Sequence, residues 1–309
     1  MRSADHADAA TTGLVVRLRH RGAEVALGEE LVEASLAGRM LQGRIEFTSR
    51  LAVGDRVRTE RRGDEHVITE VLPRRTALSR ERQLNGREQV LVANVDRALF
   101  VLSLMEPAFR PRLVDRLLVA AARGGFEPVL LFAKCDLADE RTPFEAQAEL
   151  YRSLGVRVVF VSVVTGEGLE EVRGLMQGAI SVLAGQSGVG KSTLLNRLVP
   201  GLGLVVSEIS KKWGKGRHTT SASSLHPFPG GGYVADTPGI RSFALPRLAA
   251  AEAAAYFPEF VSAAGGCRFS ACTHRHEPSC AVKAAVDAGA IAECRYDSYL
   301  RIVEGVEEE

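Results

Sequence analysis

"AISVLAGQSGVGKSTLLNRLV", residues 179–199, decides the architecture of the region around it. An apolar run that reads as a buried strand enters Gly-x-x-x-x-Gly-Lys-Ser at Gly185–Ser192, and a stretch that reads as a helix leaves it. Strand, glycine-rich turn and helix, in that order, is the setting in which this pattern cradles phosphates. Gly185, Gly188 and Gly190 let backbone N–H groups curl around phosphate oxygens, and the helix N-terminus adds positive potential. Lys191 is placed to reach the β- and γ-phosphates, and Ser192 to offer a hydroxyl to Mg²⁺. Gln186, Ser187, Val189 and Thr193 complete the expected nucleotide-binding loop.

Downstream, "VADTPG" (234–239) is an apolar strand ending in Asp-x-x-Gly. Asp236 is expected to hold Mg²⁺ through water, and the Gly239 N–H to face the γ-phosphate. Between the two motifs lies "KKWGKGRHTTS" (211–221), in which Thr219 or Thr220 is the natural second Mg²⁺ ligand. These three segments read as a P-loop nucleotide hydrolase.

Two strand ends upstream supply a base site. "FAKCD" (132–136) follows the strand "EPVLLF", and "VSVVTGEG" (161–168) follows the next strand. Asp136 can accept from guanine N1–H and the exocyclic amine, a bidentate contact that adenine does not offer. Lys134 would lie along the base and the phosphate loop, Ser162 and the Val163 backbone would help close the pocket, and Cys135 falls within the GTP-binding loop between Lys134 and Asp136. Ala133 stands where such loops usually carry Asn, so GTP is expected to be preferred but held more weakly than with Asn. The order along the chain is base, base, phosphate, switch, metal. That is a circular permutation of the usual order in nucleotide hydrolases that read guanine. A metabolic ATPase or small-molecule kinase is disfavoured by "AKCD" and by the lack of an acceptor-substrate domain.

The 309 residues suit two or three domains, and 46% hydrophobic with 25% charged residues is ordinary for a soluble protein. Net charge of +1 does not by itself announce a nucleic-acid partner. No apolar run reaches the roughly 18–20 residues of a membrane span. The polar stretch "MRSADHADAATTG" reads as a frayed tail rather than a signal peptide. A cytoplasmic monomer with no membrane partner is expected, its five Cys reduced.

Three regimes divide the chain. Residues 1–80 hold "GLVVRLRH", "AEVALG", "ELVEASLAGRM", "GDRVRTE" and "HVITEVLP", five short strands that suggest an OB-type β-barrel able to bind RNA. Residues 81–245 alternate buried-looking strands with amphipathic stretches such as "PRLVDRLLVAAARGG", the pattern of a largely parallel sheet covered by helices. Residues 246–309 are helical and carry "CRFSACTHRHEPSC" (267–280). Cys267, Cys272, His274 and Cys280 suit a closed tetrahedral, structural Zn²⁺ site. His276 is the rival imidazole, and Cys135 and Cys294 fall outside this cluster and read as plain small residues.

Barrel, permuted nucleotide domain and Cys/His module in this order resemble the ribosome small subunit-dependent GTPase A family (RsgA). "VLPRRTALSR", "VANVDRALFV", "GQSGVGKSTLLN", "GKGRHTT", "DTPG" and "CTHRHEPSCAVKAAV" carry the resemblance, which spans residues 12 to 300. It implies a bacterial GTPase acting late in small ribosomal subunit assembly and stimulated by that subunit, with barrel and zinc module on ribosomal RNA. In that light Lys211, Lys212, Lys215 and Arg217, with Trp213 among them, are expected to meet RNA phosphates and stack on a base. Ile240 occupies the place after Asp-x-x-Gly where many GTPases carry a water-positioning Gln, so His218 is the expected catalytic group, with help from the ribosome as the alternative. A second reading from another class is a nucleotide-gated RNA-binding checkpoint in which hydrolysis is incidental.

Overall fold

The computed structural model describes residues 11–41, 51–81, 88–103, 105, 107–137, 142–200, 223–236 and 245–306. In chain order, β1 (Thr11–Arg19), β2 (Gly22–Leu27), β3 (Glu30–Leu36), β4 (Arg56–Arg62) and β5 (Glu65–Val71) come first, then β6 (Ala77–Glu81), β7 (Glu88–Ala93) and β8 (Arg97–Ser103). Helices and strands then alternate: α1 (Pro111–Gly124), β9 (Glu127–Ala133), α2 (Thr142–Ser153), β10 (Arg157–Val161), α3 (Leu169–Met176), β11 (Ile180–Ala184) and α4 (Lys191–Leu198). After β12 (Ser224–Pro227) and β13 (Tyr233–Asp236) the chain is helical, with α5 (Ala250–Ala255), α6 (Pro258–Ala264), α7 (Ala281–Asp287) and α8 (Glu293–Glu304). It divides into two compact units. One is Met1–Ala98, Glu170–Leu183 and Ser192–Ile240; the other is Leu99–Leu169, Ala184–Lys191 and Arg241–Glu309.

In the first unit β1 to β5 close a five-stranded barrel in the order β1-β2-β3-β5-β4, with β4 returning to β1 from Thr11↔Thr59 to Leu14↔Arg56. Alternation drives the closure. Val15, Val25, Val32, Ala34, Val57 and Ile68 point inward and form one buried cluster, while the charged residues between them face out. The segment "ELVEASLAGRM" ends as a strand at Leu36 and becomes a 3₁₀ turn over Gly38–Leu41. β11 and β13 are parallel neighbours, whereas β12 runs antiparallel to β13 and to β1, so the sheet departs from the expected parallel pattern there.

Three polar residues fasten the barrel's exit to the start of the nucleotide-binding strands. Asp55, fully buried, accepts from the Ala52 N–H at 2.7 Å and from Arg74 Nε and Nη2 at 2.6 and 2.8 Å. Asn94, in the left-handed region at φ 53°, donates through Nδ2 to the Gly54 carbonyl and accepts from the Arg75 N–H. Two residues on, the Asp96 N–H donates to the Ile180 carbonyl and its Oδ2 accepts from the Ile180 N–H. "VLPRRT" and "VANVD" thus hold the first residue of β11, the strand that feeds the phosphate loop.

In the second unit β8, β9 and β10 form a sheet in that order, with β9 and β10 parallel from Arg157↔Val129 to Val161↔Ala133. Both strands are buried on most positions, as parallel strands are. α1 begins with Pro111 and ends on Gly125 at φ 74°, the pairing that starts and stops a helix cleanly. Its buried face includes Val114, Leu117 and Leu118. Val119 of α1 packs in the core of the C-terminal helices with Phe257, Phe260, Tyr299 and Ile302.

A buried charge network joins α1 and α2 to that C-terminal module. Arg295 of α8 is 2% exposed and donates from Nη1 to Asp115 Oδ1 of α1 at 2.7 Å. Its Nε and Nη2 reach both oxygens of Glu259 on α6, and its guanidinium lies 4.5 Å from the Phe257 ring centroid. The Tyr151 hydroxyl of α2 also donates to Asp115 Oδ1. Burial pushes the Asp115 carboxyl above its ordinary value against the pull of Arg295, and it raises the Tyr151 phenol as well. A pair this dry stabilises little over an apolar replacement, but losing one partner strands the other. Arg295→Met is therefore expected to lower unfolding free energy by about 3–5 kcal/mol. Arg112→Ala breaks the half-exposed pair with Asp297 on the same two helices and should cost no more than about 1 kcal/mol. Urea titrations of the two variants check this, and equal losses would contradict it.

Candidate nucleotide and metal sites

β11 is buried at all five positions and delivers Gly185 to the phosphate loop. Gly185 sits at φ 146°, and a Cβ there would lie 2.1 Å from the Val101 carbonyl oxygen, so only glycine fits. Val189 is buried beneath the loop, and α4 begins at Lys191. Lys191 Nζ donates to the carbonyls of Gly185 and Gln186 at 2.7 and 2.6 Å, which folds the ammonium over the loop where phosphates would lie. Ser187 and Gly188 are exposed at the loop's crest, and Ser192 and Thr193 are half-buried in the first turn of α4.

The base loop meets this loop directly. Lys134, at φ 60°, donates from Nζ to the Gly188 carbonyl at 2.9 Å, across 54 residues of chain. Ala133 ends β9 in the core, and Asp136 is the middle residue of a short 3₁₀ turn over Cys135–Leu137, with its side chain exposed. Opposite Ala133 in the parallel register is Val161, after which the second loop turns. Ser162 is fully buried, and its Oγ accepts from the N–H groups of Val164 and Thr165, which fixes that loop from within. Val163 is half-buried beside it. Cys135 is more than filler: its thiol lies 3.4 Å from Glu167 Oε2, a contact no local pattern announces.

Asp236 is the last residue of β13, the strand paired with β11 through Val182↔Ala235. Its backbone thus lies at the carboxyl end of β13. Lys211, Lys212, Trp213, Lys215, Arg217, His218, Thr219, Thr220, Gly239 and Ile240 lie outside the described residues.

Cys267, Cys272, His274 and Cys280 come together with their ligand atoms within 4.8 Å of one another. His274 Nδ1 lies 3.7 Å from Cys267 Sγ and 3.4 Å from Cys280 Sγ, and the two sulfurs are 4.0 Å apart. A tetrahedral ion with ordinary zinc bond lengths sets such edges at about 3.5–3.8 Å. Three thiols and one imidazole therefore fit a four-coordinate metal ion, and His276 is exposed and outside the group. Burial pushes the Cys272 thiol up to about 12 and the His274 imidazole below its usual value. For Cys267 burial acts upward too, but the Ala281 and Val282 N–H groups hold its thiol below the usual value. A bound cation would favour the thiolate at each sulfur.

The ligand loop is held from outside as well. Glu277 accepts from Thr273 N–H and Oγ1 and from the N–H groups of Arg275 and His276, and these donors, Thr273 first, hold its carboxyl well below the usual range. The Tyr296 hydroxyl donates to the His274 carbonyl at 2.7 Å, and the Tyr299 hydroxyl to that of Thr273. Such outer contacts fix the orientation of a metal-binding residue.

The steric demand at Gly185 yields a test. Gly185→Ala is expected to abolish detectable nucleotide binding while the barrel's β-signature in circular dichroism persists. Normal nucleotide affinity in equilibrium titration would contradict it.

Comparison with known proteins agrees with this geometry. The profile of the RsgA GTPase family matches residues 71–246. The small ribosomal subunit biogenesis GTPase RsgA of Chlorobaculum tepidum is 43% identical over 273 residues, 85% of this chain and 88% of that one. The protein of the same name from Gemmatimonas aurantiaca is 40% identical over 301 residues, 94% and 96% of the two chains. The crystal structure of YjeQ from Thermotoga maritima superposes with a TM-score of 0.79 at 34% identity, over 97% of this chain and all of that one. YloQ, a circularly permuted GTPase, superposes with a TM-score of 0.75 at 28% identity over the whole of both chains. With base loops before the phosphate loop, a closed barrel ahead of them and a Cys/His cluster behind, this chain belongs to the RsgA GTPase family and is a circularly permuted GTP hydrolase.

Proposed function

We propose that this GTPase binds the small ribosomal subunit and couples GTP hydrolysis to its late maturation. The observation that carries the nucleotide half of this reading is Lys134 reaching the Gly188 carbonyl, because it puts a guanine-type base loop beside the phosphate loop despite the reversed chain order. The relatives' name, small ribosomal subunit biogenesis GTPase, supports the partner.

In this reading Asp136 accepts from guanine, Lys134 lies along the base, and Cys135, Ser162 and Val163 line the pocket. Residues Gly185 to Thr193 wrap the phosphates, with Lys191 leaving its loop carbonyls to meet them. Mg²⁺, when bound, neutralises charge between the β- and γ-phosphates; Ser192, Asp236 and one of Thr219 and Thr220 would hold it. His218 orients the attacking water, and the Gly239 N–H faces the γ-phosphate. Lys211, Lys212, Trp213, Lys215 and Arg217 meet ribosomal RNA, so that binding of the subunit acts on the segment carrying His218.

The metal at Cys267, Cys272, His274 and Cys280 is zinc in this reading, supported by a soft donor set whose ligand atoms gather within 4.8 Å. All four positions are filled by protein, which suits a structural role. Three functional segments follow: an OB-type RNA-binding barrel over 1–80, the GTPase over 81–245 and a zinc-binding helical module over 246–309. Among the described residues no helix is long and apolar enough to cross a membrane. The cytoplasm, as a monomer, is the proposed place of action.

One assay tests this reading. Hydrolysis of GTP and ATP is measured in parallel, with and without purified small ribosomal subunits. The expected result is slow GTP turnover that rises at least about tenfold with subunits, with ATP untouched. Equal turnover of both nucleotides, or no response to subunits, would overturn it.

A further inference from the structure

Ala133 poses a problem that the neighbouring residues answer. An Asn side chain at that position would tie the base loop to the loops beside it, but Ala133 ends β9 in the core with no polar side-chain atom to offer. The loop must nonetheless be held, because Asp136 is exposed in a 3₁₀ turn of three residues. A carboxylate meant to discriminate one base edge from another works only if its backbone does not wander.

The residue next to Asp136 is anchored across the gap. Cys135 is 1% exposed, and its Sγ lies 3.4 Å from Oε2 of Glu167, in the loop that follows β10. Glu167 is itself fixed on both sides. Its carbonyl accepts from the Ser162 N–H at 3.1 Å, and its N–H donates to Thr165 Oγ1. The next residue, Gly168, sits at φ 72° where a Cβ would be 2.1 Å from the Phe160 carbonyl oxygen, so the backbone there has no freedom to carry the carboxylate away. On the other side of the loop, Lys134 is held at Gly188. The two residues that precede Asp136 are therefore tied to the two different loops flanking the base.

We propose that the hydrogen bond from the Cys135 thiol to the Glu167 carboxylate is a specificity-setting contact, which positions Asp136 for guanine in place of the Asn side chain absent at 133. Cys135 and Glu167 are positioning residues, and both act through Asp136. A buried Cys that merely filled space would tolerate Ala or Val and be indifferent to Glu167. A thiol donor is weak between neutral groups, but an ionised acceptor strengthens it.

The proposal rests on Asp136 being the guanine acceptor, and the test separates the two claims. Equilibrium binding of GTP and ATP is measured for Cys135→Ala, Cys135→Ser, Glu167→Ala, the double Ala variant, Cys135→Ala with Ala133→Asn, and Asp136→Ala. Cys135→Ala and Glu167→Ala should each weaken GTP by about three- to tenfold while leaving weak ATP binding where it was. The double variant should be no weaker than either single one, Cys135→Ser should stay near wild type, and Ala133→Asn should restore GTP affinity to Cys135→Ala. Additive losses, equal losses for GTP and ATP, or wild-type affinity in Cys135→Ala while Asp136→Ala loses its preference, would overturn the bridge and leave the base reading standing. If Asp136→Ala keeps full preference for GTP, the base reading falls and the bridge with it.

Discussion

The hydrogen bond from Lys134 Nζ to the Gly188 carbonyl is the contact on which the nucleotide site depends. It closes 54 residues of chain into one short polar junction, base loop against phosphate loop. What makes it possible is register. β9 and β10 run parallel with Ala133 opposite Val161, so both base loops leave the same edge of their sheet. A parallel sheet gathers its ligand-binding loops at the carboxyl ends of its strands, whatever order the chain visits them in. Circular permutation of the GTPase therefore changes which ends are joined and leaves the chemistry where it was.

Much of this was legible in the sequence, and the reasons differ by element. The barrel strands announced themselves through alternation, since Val15, Val25 and Val57 must face inward if a small barrel is to close. The phosphate loop was legible because glycines are forced there; Gly185 has a carbonyl oxygen where any Cβ would go. The four metal-type ligands were legible because a compact Cys/His spacing leaves few ways to place them. The strand read through "AGRM" was mistaken, and the chain turns into a 3₁₀ segment at Gly38 instead.

Other features carry no local signature. The β6–β7 hairpin joins the short polar run ALSRE to the apolar EQVLVA, and only pairing across Ala77↔Ala93 to Glu81↔Glu88 makes it one. Arg295 sits in "ECRYDSYLRIVE", where a charged residue reads as solvated, yet its partner Asp115 is 180 residues away and equally dry. Arg74 with Asp55, and Asn94 with Gly54, are of the same kind. Such pairs are invisible to periodicity because each half is an ordinary polar residue until the tertiary fold removes water from both. They stabilise little relative to apolar packing, but they admit one arrangement and penalise the rest.

Asp136, early in the chain, is proposed to read the base bound by a phosphate loop that follows it. The most direct measurement is equilibrium binding of GTP and xanthosine triphosphate to wild type and to Asp136→Asn. A carboxylate accepts from the guanine N1–H and amine; an amide presents a donor that suits the extra carbonyl of xanthine. Wild type is expected to prefer GTP, and Asp136→Asn to prefer xanthosine triphosphate with its fold intact. A variant that still prefers GTP would contradict it.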